Sequence, residues 1–194
     1  MTEYLITGLG SFLIGSIPFG WLIAKSKGID VKKKGSGNIG ATNVYRVVGK
    51  KEGALTLILD LLKGFLAVVL FSLIYKHDAY VPYVSSISVV LGHDFSIFLK
   101  FKGGKGVATT YGAGLIIYPT ASMVGMAMWI AILLGSKYSS LAALLSFTVS
   151  TLIALNSNNY MVRIVFVVLL GLMIIRHRDN IVRLFSKREN KINI

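Results

Sequence analysis

The stretch VATTYGAGLIIYPTASMVGMAMWIAILL, Val107 to Leu134, decides how many times this chain crosses its solvent boundary. Read as one helix it is a 28-residue run; read as two it breaks at Pro119. Similar apolar runs occupy Tyr4–Ala24, Ala54–Tyr75, Val81–Leu99, Ser139–Leu155 and Tyr160–Ile175. The runs are continuous and show no period-two alternation, so they read as helices rather than barrel strands. With 54% hydrophobic and only 15% charged residues, and a mean hydropathy of +0.69, the chain takes lipid as its solvent. In hydrocarbon a backbone must satisfy itself, which leaves only helices or closed barrels. The 194 residues hold about seven spans of ~20 residues with short connections. That leaves no room for a separate soluble domain, and residues 1–194 read as a single integral membrane domain.

Charge chooses between six spans and seven. With a break at Pro119, one side of the membrane receives Lys25, Lys27, Lys32, Lys33, Lys34, Arg46, Lys50 and Lys51. It also receives Lys100, Lys102, Lys105, Lys137 and the six basic residues of the tail from Arg176 to Lys191, making eighteen of the 21. Without the break the tail moves to the opposite side, against the tendency of lysine and arginine to stay cytoplasmic. The expected architecture is therefore all-α: a polytopic membrane helix bundle of about seven transmembrane helices, N-terminus outside and C-terminus cytoplasmic. The N-terminus carries Glu3 and no basic segment, so Tyr4–Ala24 reads as a retained span and not a cleaved signal. Topology also accounts for the net charge of +13, so a nucleic-acid partner is not needed to explain it.

Three unusual stretches fall on the cytoplasmic face of this topology. The first is GSGNIGATNVYRVVGKKEG, Gly35–Gly53. Gly35, Gly37 and Gly40 have the spacing G-x-G-x-x-G, but a membrane helix and a lysine run precede it where a dinucleotide site needs a strand. Glycines let backbone N–H groups approach an anion closely. Ser36, Asn38, Thr42 and Asn43 add short polar groups, and Arg46 adds a planar fork suited to phosphate.

The second stretch is GHDFSIFLKFKGGKGVATT, Gly92–Thr110. Its Gly103-Gly104-Lys105-Gly106 fails the phosphate-binding loop pattern G-x-x-x-x-G-K-[ST] twice, at Leu99 and at Gly106. What remains is a lysine among glycines at the start of a membrane helix. His93 lies near the end of the third span beside Asp94, where it reads equally as an ionisable functional group at a membrane boundary or as a neutral histidine hydrogen-bonding across helices. Asp60 and Lys63, at i and i+3 in the second span, either pair with each other or Lys63 snorkels to the edge. The third stretch, RHRDNIVRL, Arg176–Leu184, is in part a basic anchor at the membrane surface. His177 and Asn180 share one face of it and fit a site better.

Several chemistries are excluded. There is no cysteine, hence no thiolate nucleophile or disulfide. No H-E-x-x-H or clustered His/Asp set suggests a metal, and no cofactor motif is present. No G-x-S-x-G elbow suggests a serine hydrolase. None of the histidines begins an H-x-x-x-x-D box, because the residues five positions on are Pro82, Phe98 and Val182.

With GSIPFG in the first span, GSGNIGATN, GHDFSIFLKFKGGKG and the RHRDNI tail, the sequence resembles the bacterial acyl-phosphate:glycerol-3-phosphate acyltransferases, in order and through nearly the whole chain. The resemblance implies a seven-span protein of the bacterial cytoplasmic (inner) membrane with its active site facing the cytoplasm. It implies transfer of a fatty acyl group from acyl phosphate to the 1-hydroxyl of sn-glycerol 3-phosphate. The products would be 1-acylglycerol 3-phosphate (lysophosphatidic acid) and phosphate, the first step of phospholipid synthesis. The implied partners are these two substrates, membrane lipid and the enzyme that supplies acyl phosphate.

Two phosphorylated substrates call for two anion cradles, which suits these loops. An acyl phosphate is already activated, so in-line binding and donors on the leaving phosphate and developing oxyanion could replace a covalent nucleophile. Ser36, Asn38, His93, Lys105 and His177 are expected to take the catalytic part. Gly37, Gly40, Ala41, Thr42, Asn43, Arg46, Gly103, Gly104, Gly106 and Asn180 are expected to bind substrate. The Ser36–Asn43 loop is given the acyl phosphate, and Arg46, Lys105, His177 and Asn180 the glycerol phosphate, although the two assignments can be exchanged. For the hydroxyl proton, His93 and His177 are candidates by type, and a substrate phosphate oxygen is a third. A small transporter of a phosphorylated metabolite would also explain spans and loops, but its polar groups belong at midplane and no inverted repeat is present.

Overall fold

The computed structural model describes residues 1–193. Those residues form helices and connecting loops with no strand. The helices are α1 (Thr2–Ser16), α2 (Phe19–Ser26), α3 (Ala41–Val47), α4 (Lys50–Ile74), α5 (Val81–Asp94), α6 (Val107–Ile117), α7 (Pro119–Ser136), α8 (Ser139–Ala154), α9 (Tyr160–Arg176) and α10 (Arg178–Phe185), with a 3₁₀ turn at Ile97–Leu99. Four stretches are long and apolar enough to cross a membrane: Thr2–Ser26, Lys50–Ile74, Val81–Leu99 and Pro119–Ser136. The α9–α10 pair, bent by 63°, passes the same test only if its two helices are taken together as one span.

The break expected at Pro119 is present. Tyr118 is extended (φ −154°, ψ 87°), and Pro119 opens α7 at a position where its missing N–H costs nothing. The first span corrects the sequence reading. Instead of running unbroken to Ala24, the helix stops at Ser16 and restarts at Phe19, because Pro18 has no N–H to continue the ladder. The basic tail also contains a helix, α10, that its composition did not announce.

The chain forms two compact units, Met1–Ile116 and Ile117–Ile194. In the first, α1 packs on α5 through glycines. A Cβ on Gly15 would strike the Val89 carbonyl, and one on Gly92 would strike the Phe12 carbonyl. The Ser11 and Ser85 hydroxyls meet at 2.7 Å across the same seam. Helices α4 and α6 repeat the device, with Gly64 against the backbone of Thr109 and Gly112 against that of Leu61. Small residues let backbones approach where burial of apolar surface supplies no driving force, as in lipid. Accordingly α4 is inverted relative to a soluble helix. Leu55, Ile58, Leu62, Leu66, Leu70 and Leu73 face outward, while Thr56, Asp60 and Lys63 are buried.

The second unit is organised around α8. Phe147 stacks on Phe166 of α9 with centroids 5.7 Å apart, and the Tyr118 ring meets Phe166 edge-on at 6.5 Å. After α10 the chain turns back, and the Ile192 N–H donates to the Lys137 carbonyl at the α7–α8 turn (2.9 Å).

Candidate functional site

The glycine-rich loop between α2 and α4 is closed by one side chain. Asn43, 1% exposed, donates its amide to the carbonyls of Val31 (3.1 Å), Lys34 (3.1 Å) and Asn38 (2.8 Å). Its Oδ1 accepts from the Ser36 N–H at 2.9 Å. Two amide hydrogens serve three carbonyls, so at least one is shared. Gly35 (φ +59°) and Gly37 (φ +70°) take the left-handed backbone that bends the loop around this amide. A Cβ on Gly35 would collide with Asn43 Oδ1. Asn38 closes a smaller turn, its Oδ1 accepting from the Gly40 N–H (2.7 Å). Beneath the loop, Ile39 is buried with Val31, Val44, Ala24 and Leu99.

Leu99 belongs to the second glycine-rich loop, so both loops rest on one apolar floor. This second loop is tied to the end of α5. The Gly103 N–H donates to the Asp94 carbonyl (3.2 Å) and the Gly104 N–H to the His93 carbonyl (3.0 Å). Those carbonyls have no partner inside α5, so the two glycines cap the helix. A Cβ on Gly104 would strike the His93 ring at Nε2. Gly106 (φ +70°) lies against Asp94, where a Cβ would stand 2.9 Å from Oδ1. The loop reverses through Lys100 and Phe101, both at positive φ (55° and 60°). For a bulky side chain that is a strained conformation, held here by the Phe101 N–H donating to the Ser96 carbonyl at 2.8 Å.

The same unit holds a buried charge network. Asp60 and Lys63 pair at 2.8 Å, which resolves the choice between pairing and snorkelling in favour of the pair. Lys63 Nζ also donates to the Ile17 carbonyl at 2.8 Å, at the break before Pro18. The Asp60 carboxylate stands 3.6 Å from His93 Nδ1. The sequence reading missed the Asp60–His93 approach, because 33 positions separate the two residues. An acid inside an apolar helix was the signal available for it.

The expected site residues of this first unit therefore differ in setting. Asn43 and His93 are buried. Asn38, Thr42, Arg46 and Lys105 are half-buried, and Ser36 is exposed. In the second unit, His177 and Asn180 are buried at the α9–α10 bend. His177 Nδ1 lies 2.8 Å from the Met173 carbonyl, and Asn180 donates to Glu189 Oε1 at 2.6 Å. Glu189 also accepts from Ser140 Oγ (2.9 Å) and Arg183 Nε (2.8 Å). Burial raises the Glu189 pKa, but hydrogen bonds from Arg183, Asn180 and Ser140, with the Arg183 charge, outweigh it and hold the carboxyl below its usual range. Neither Ser140 nor Glu189 was picked out by the sequence reading. Glu189 is one of only two acids in the basic tail, with Asp179, which was the available signal for it; nothing marked Ser140.

Comparison with known proteins gives this geometry its family. The family model described as glycerol-3-phosphate acyltransferase matches residues 5–187. The chain is similar to glycerol-3-phosphate acyltransferase 2 of Thermotoga maritima, 43% identical over 195 residues, covering 100% of this chain and 98% of the relative. It is also similar to a crystal structure of PlsY (YgiH), an integral membrane glycerol 3-phosphate acyltransferase, in its glycerol 3-phosphate form. That match has a TM-score of 0.92 and 38% identity, over 98% of this chain and 96% of the other. The lysophosphatidic acid form of the same protein matches with a TM-score of 0.89 and 38% identity, over 98% and 95%. A membrane-helix fold, two glycine loops on one floor and a match running through both belong together: the chain is a member of the glycerol-3-phosphate acyltransferase family.

Proposed function

We propose that this enzyme transfers a fatty acyl group from acyl phosphate to the 1-hydroxyl of sn-glycerol 3-phosphate, giving 1-acylglycerol 3-phosphate and inorganic phosphate. The glycerol oxygen attacks the acyl carbonyl carbon, the carbon–oxygen bond to phosphate breaks, and phosphate leaves with the bonding electrons. The observation that carries the reading is the shared floor. Leu99 of one glycine loop is buried with Ile39 of the other, which suits two phosphate groups handled side by side. Crystal forms of the similar PlsY with glycerol 3-phosphate and with lysophosphatidic acid support the acceptor and the product.

In this reading the Ser36–Asn43 loop, with Gly37, Gly40, Ala41 and Thr42, holds the acyl phosphate. Asn43 keeps the loop in shape, and Asn38 is set by its own turn. Arg46 and Lys105 neutralise phosphate, and Gly103, Gly104 and Gly106 keep the approach to Lys105 narrow and free of side chains. His177 and Asn180 serve the glycerol phosphate. His93 takes the hydroxyl proton, with Asp60 behind its Nδ1 stabilising the cation that forms. The enzyme lies in the bacterial cytoplasmic membrane with this site facing the cytoplasm, where acyl phosphate is supplied by a partner enzyme.

Seven spans, N-terminus outside, remain the topology we favour, within one enzymatic domain. Beyond the four long spans and the bent pair, α6 and α8 supply the other two crossings. At 11 and 16 residues they reach only about 16 and 24 Å, so their ends finish against protein or a locally thinned bilayer.

Purified protein given acyl phosphate and radiolabelled glycerol 3-phosphate tests the reaction. Labelled lysophosphatidic acid and phosphate should appear in equal amounts, and activity with acyl coenzyme A in place of acyl phosphate should be absent. A folded protein that acylates only from the thioester would overturn the donor assignment. His93→Ala and His177→Ala both turning over at the wild-type rate would remove histidine as the base.

A further inference from the structure

The tail beyond α10 returns to the body of the second unit. Ile192 is buried and its N–H is held by Lys137, while Lys191 Nζ lies 5.5 Å from the centre of the Tyr138 ring. On this return the Glu189 side chain, 9% exposed, accepts from Asn180, Ser140 and Arg183 at 2.6–2.9 Å. Two of the donors lie on α10 and one opens α8, so a single carboxylate ties tail, α10 and α8 together.

The consequence falls on Asn180. A primary amide has a donor edge and an acceptor edge of nearly the same shape, and only its neighbours decide which way it faces. An ionised carboxylate can only accept. Glu189 therefore forces the NH₂ of Asn180 inward, and the reversed amide would set its oxygen against a carboxylate. The edge turned away from Glu189 is then the oxygen. An oxygen edge repels a phosphate and suits a hydroxyl donor.

We propose that Glu189 is a positioning residue that fixes the orientation of the Asn180 amide, so that Asn180 serves glycerol 3-phosphate by accepting a hydrogen bond from a glycerol hydroxyl. This rests on the assignment of Asn180 to the glycerol phosphate made above. It narrows that assignment from the phosphate group to the hydroxyl end of the substrate.

The test is a cycle on the full-length enzyme in lipid nanodiscs, with KM for each substrate, kcat and melting temperature measured for Asn180→Ala, Glu189→Gln and both together. Glu189→Gln should raise KM for glycerol 3-phosphate about tenfold, leave KM for acyl phosphate unchanged, and add nothing in the Asn180→Ala background. If Asn180→Ala itself binds glycerol 3-phosphate normally, the assignment of Asn180 falls, and the proposal with it. If Asn180→Ala binds poorly but Glu189→Gln binds normally, only the positioning role falls. Additive effects would mean that Glu189 acts elsewhere, which also overturns it. Should Glu189→Gln not fold, the exchanged pair Asn180→Asp with Glu189→Gln decides. A glutamine donor facing an aspartate keeps an acceptor on the substrate side, so the pair should recover about tenfold in KM over Asn180→Asp alone. No recovery rejects the proposal.

Discussion

Asp60 and Lys63 close a 2.8 Å ion pair one turn apart on α4, with side chains only 4% and 3% exposed. The pair links three places at once: the broken first span through the Ile17 carbonyl, α4 itself, and α5 through His93. Removing one partner leaves an uncompensated charge in an apolar interior, at a cost of about 3–5 kcal/mol, whereas replacing both with apolar side chains is close to neutral. Asp60→Ala should therefore lower the melting temperature sharply in detergent. The double change Asp60→Leu, Lys63→Met should restore most of it and still lack activity. A stable, fully active double variant would show that the network has no part in catalysis.

The Asn43 amide is the keystone of the first glycine loop, so its chemistry can be tested without changing its size. Asn43→Asp keeps the acceptor for the Ser36 N–H but replaces the donor with an oxygen facing the carbonyls of Val31, Lys34 and Asn38. Each lost or reversed buried contact costs about 1–3 kcal/mol. The loop should open, activity should fall by about a hundredfold or more, and proteases should cut between Val31 and Asn43. Normal activity in Asn43→Asp would mean that loop shape does not matter to the reaction.

How far these features were legible in the sequence depends on how local they are. The break at Pro119 and the Asp60–Lys63 pair involve neighbours in the chain, and residue types with their spacing were enough to find them. Pro18 carried the same signal as Pro119, but the apolar run around it hid the break. Asn43 was legible as a polar group in a glycine loop. The direction of its amide was not, because the carbonyls it meets come from backbone up to 12 positions away. Likewise, glycines 103 and 104 looked like anion-binding amides, yet their N–H groups cap α5. Asp60 near His93, and Glu189 against Ser140, are products of tertiary packing that no local pattern encodes.

Gly104 and His93 make a steric prediction. With a Cβ at position 104 directed into the His93 ring, Gly104→Ala must displace the imidazole or the loop, a strain of about 1–3 kcal/mol. Trimming the ring should relieve it, so His93→Ala, Gly104→Ala should melt close to His93→Ala alone. Equal destabilisation by Gly104→Ala with and without the ring would place the clash elsewhere.

The tail clamp gives a pH dependence whose sign follows from Glu189. Its folded pKa lies below the ordinary 4.5, because the donors from Arg183, Asn180 and Ser140 outweigh the opposing effect of burial. A carboxyl with a depressed folded pKa stabilises the folded state fully above its unfolded value and loses that contribution as pH falls through the folded one. The clamp should thus be intact at neutral pH and begin to loosen only below about pH 4.5. Hydrogen exchange across residues 187–193, followed at its intrinsic-rate-corrected value, should accelerate in that acid window in the wild type. Glu189→Gln should exchange faster at neutral pH and show no further acid step, since glutamine has no proton to gain. An acid step that survives in Glu189→Gln would come from another group and would overturn its assignment to Glu189.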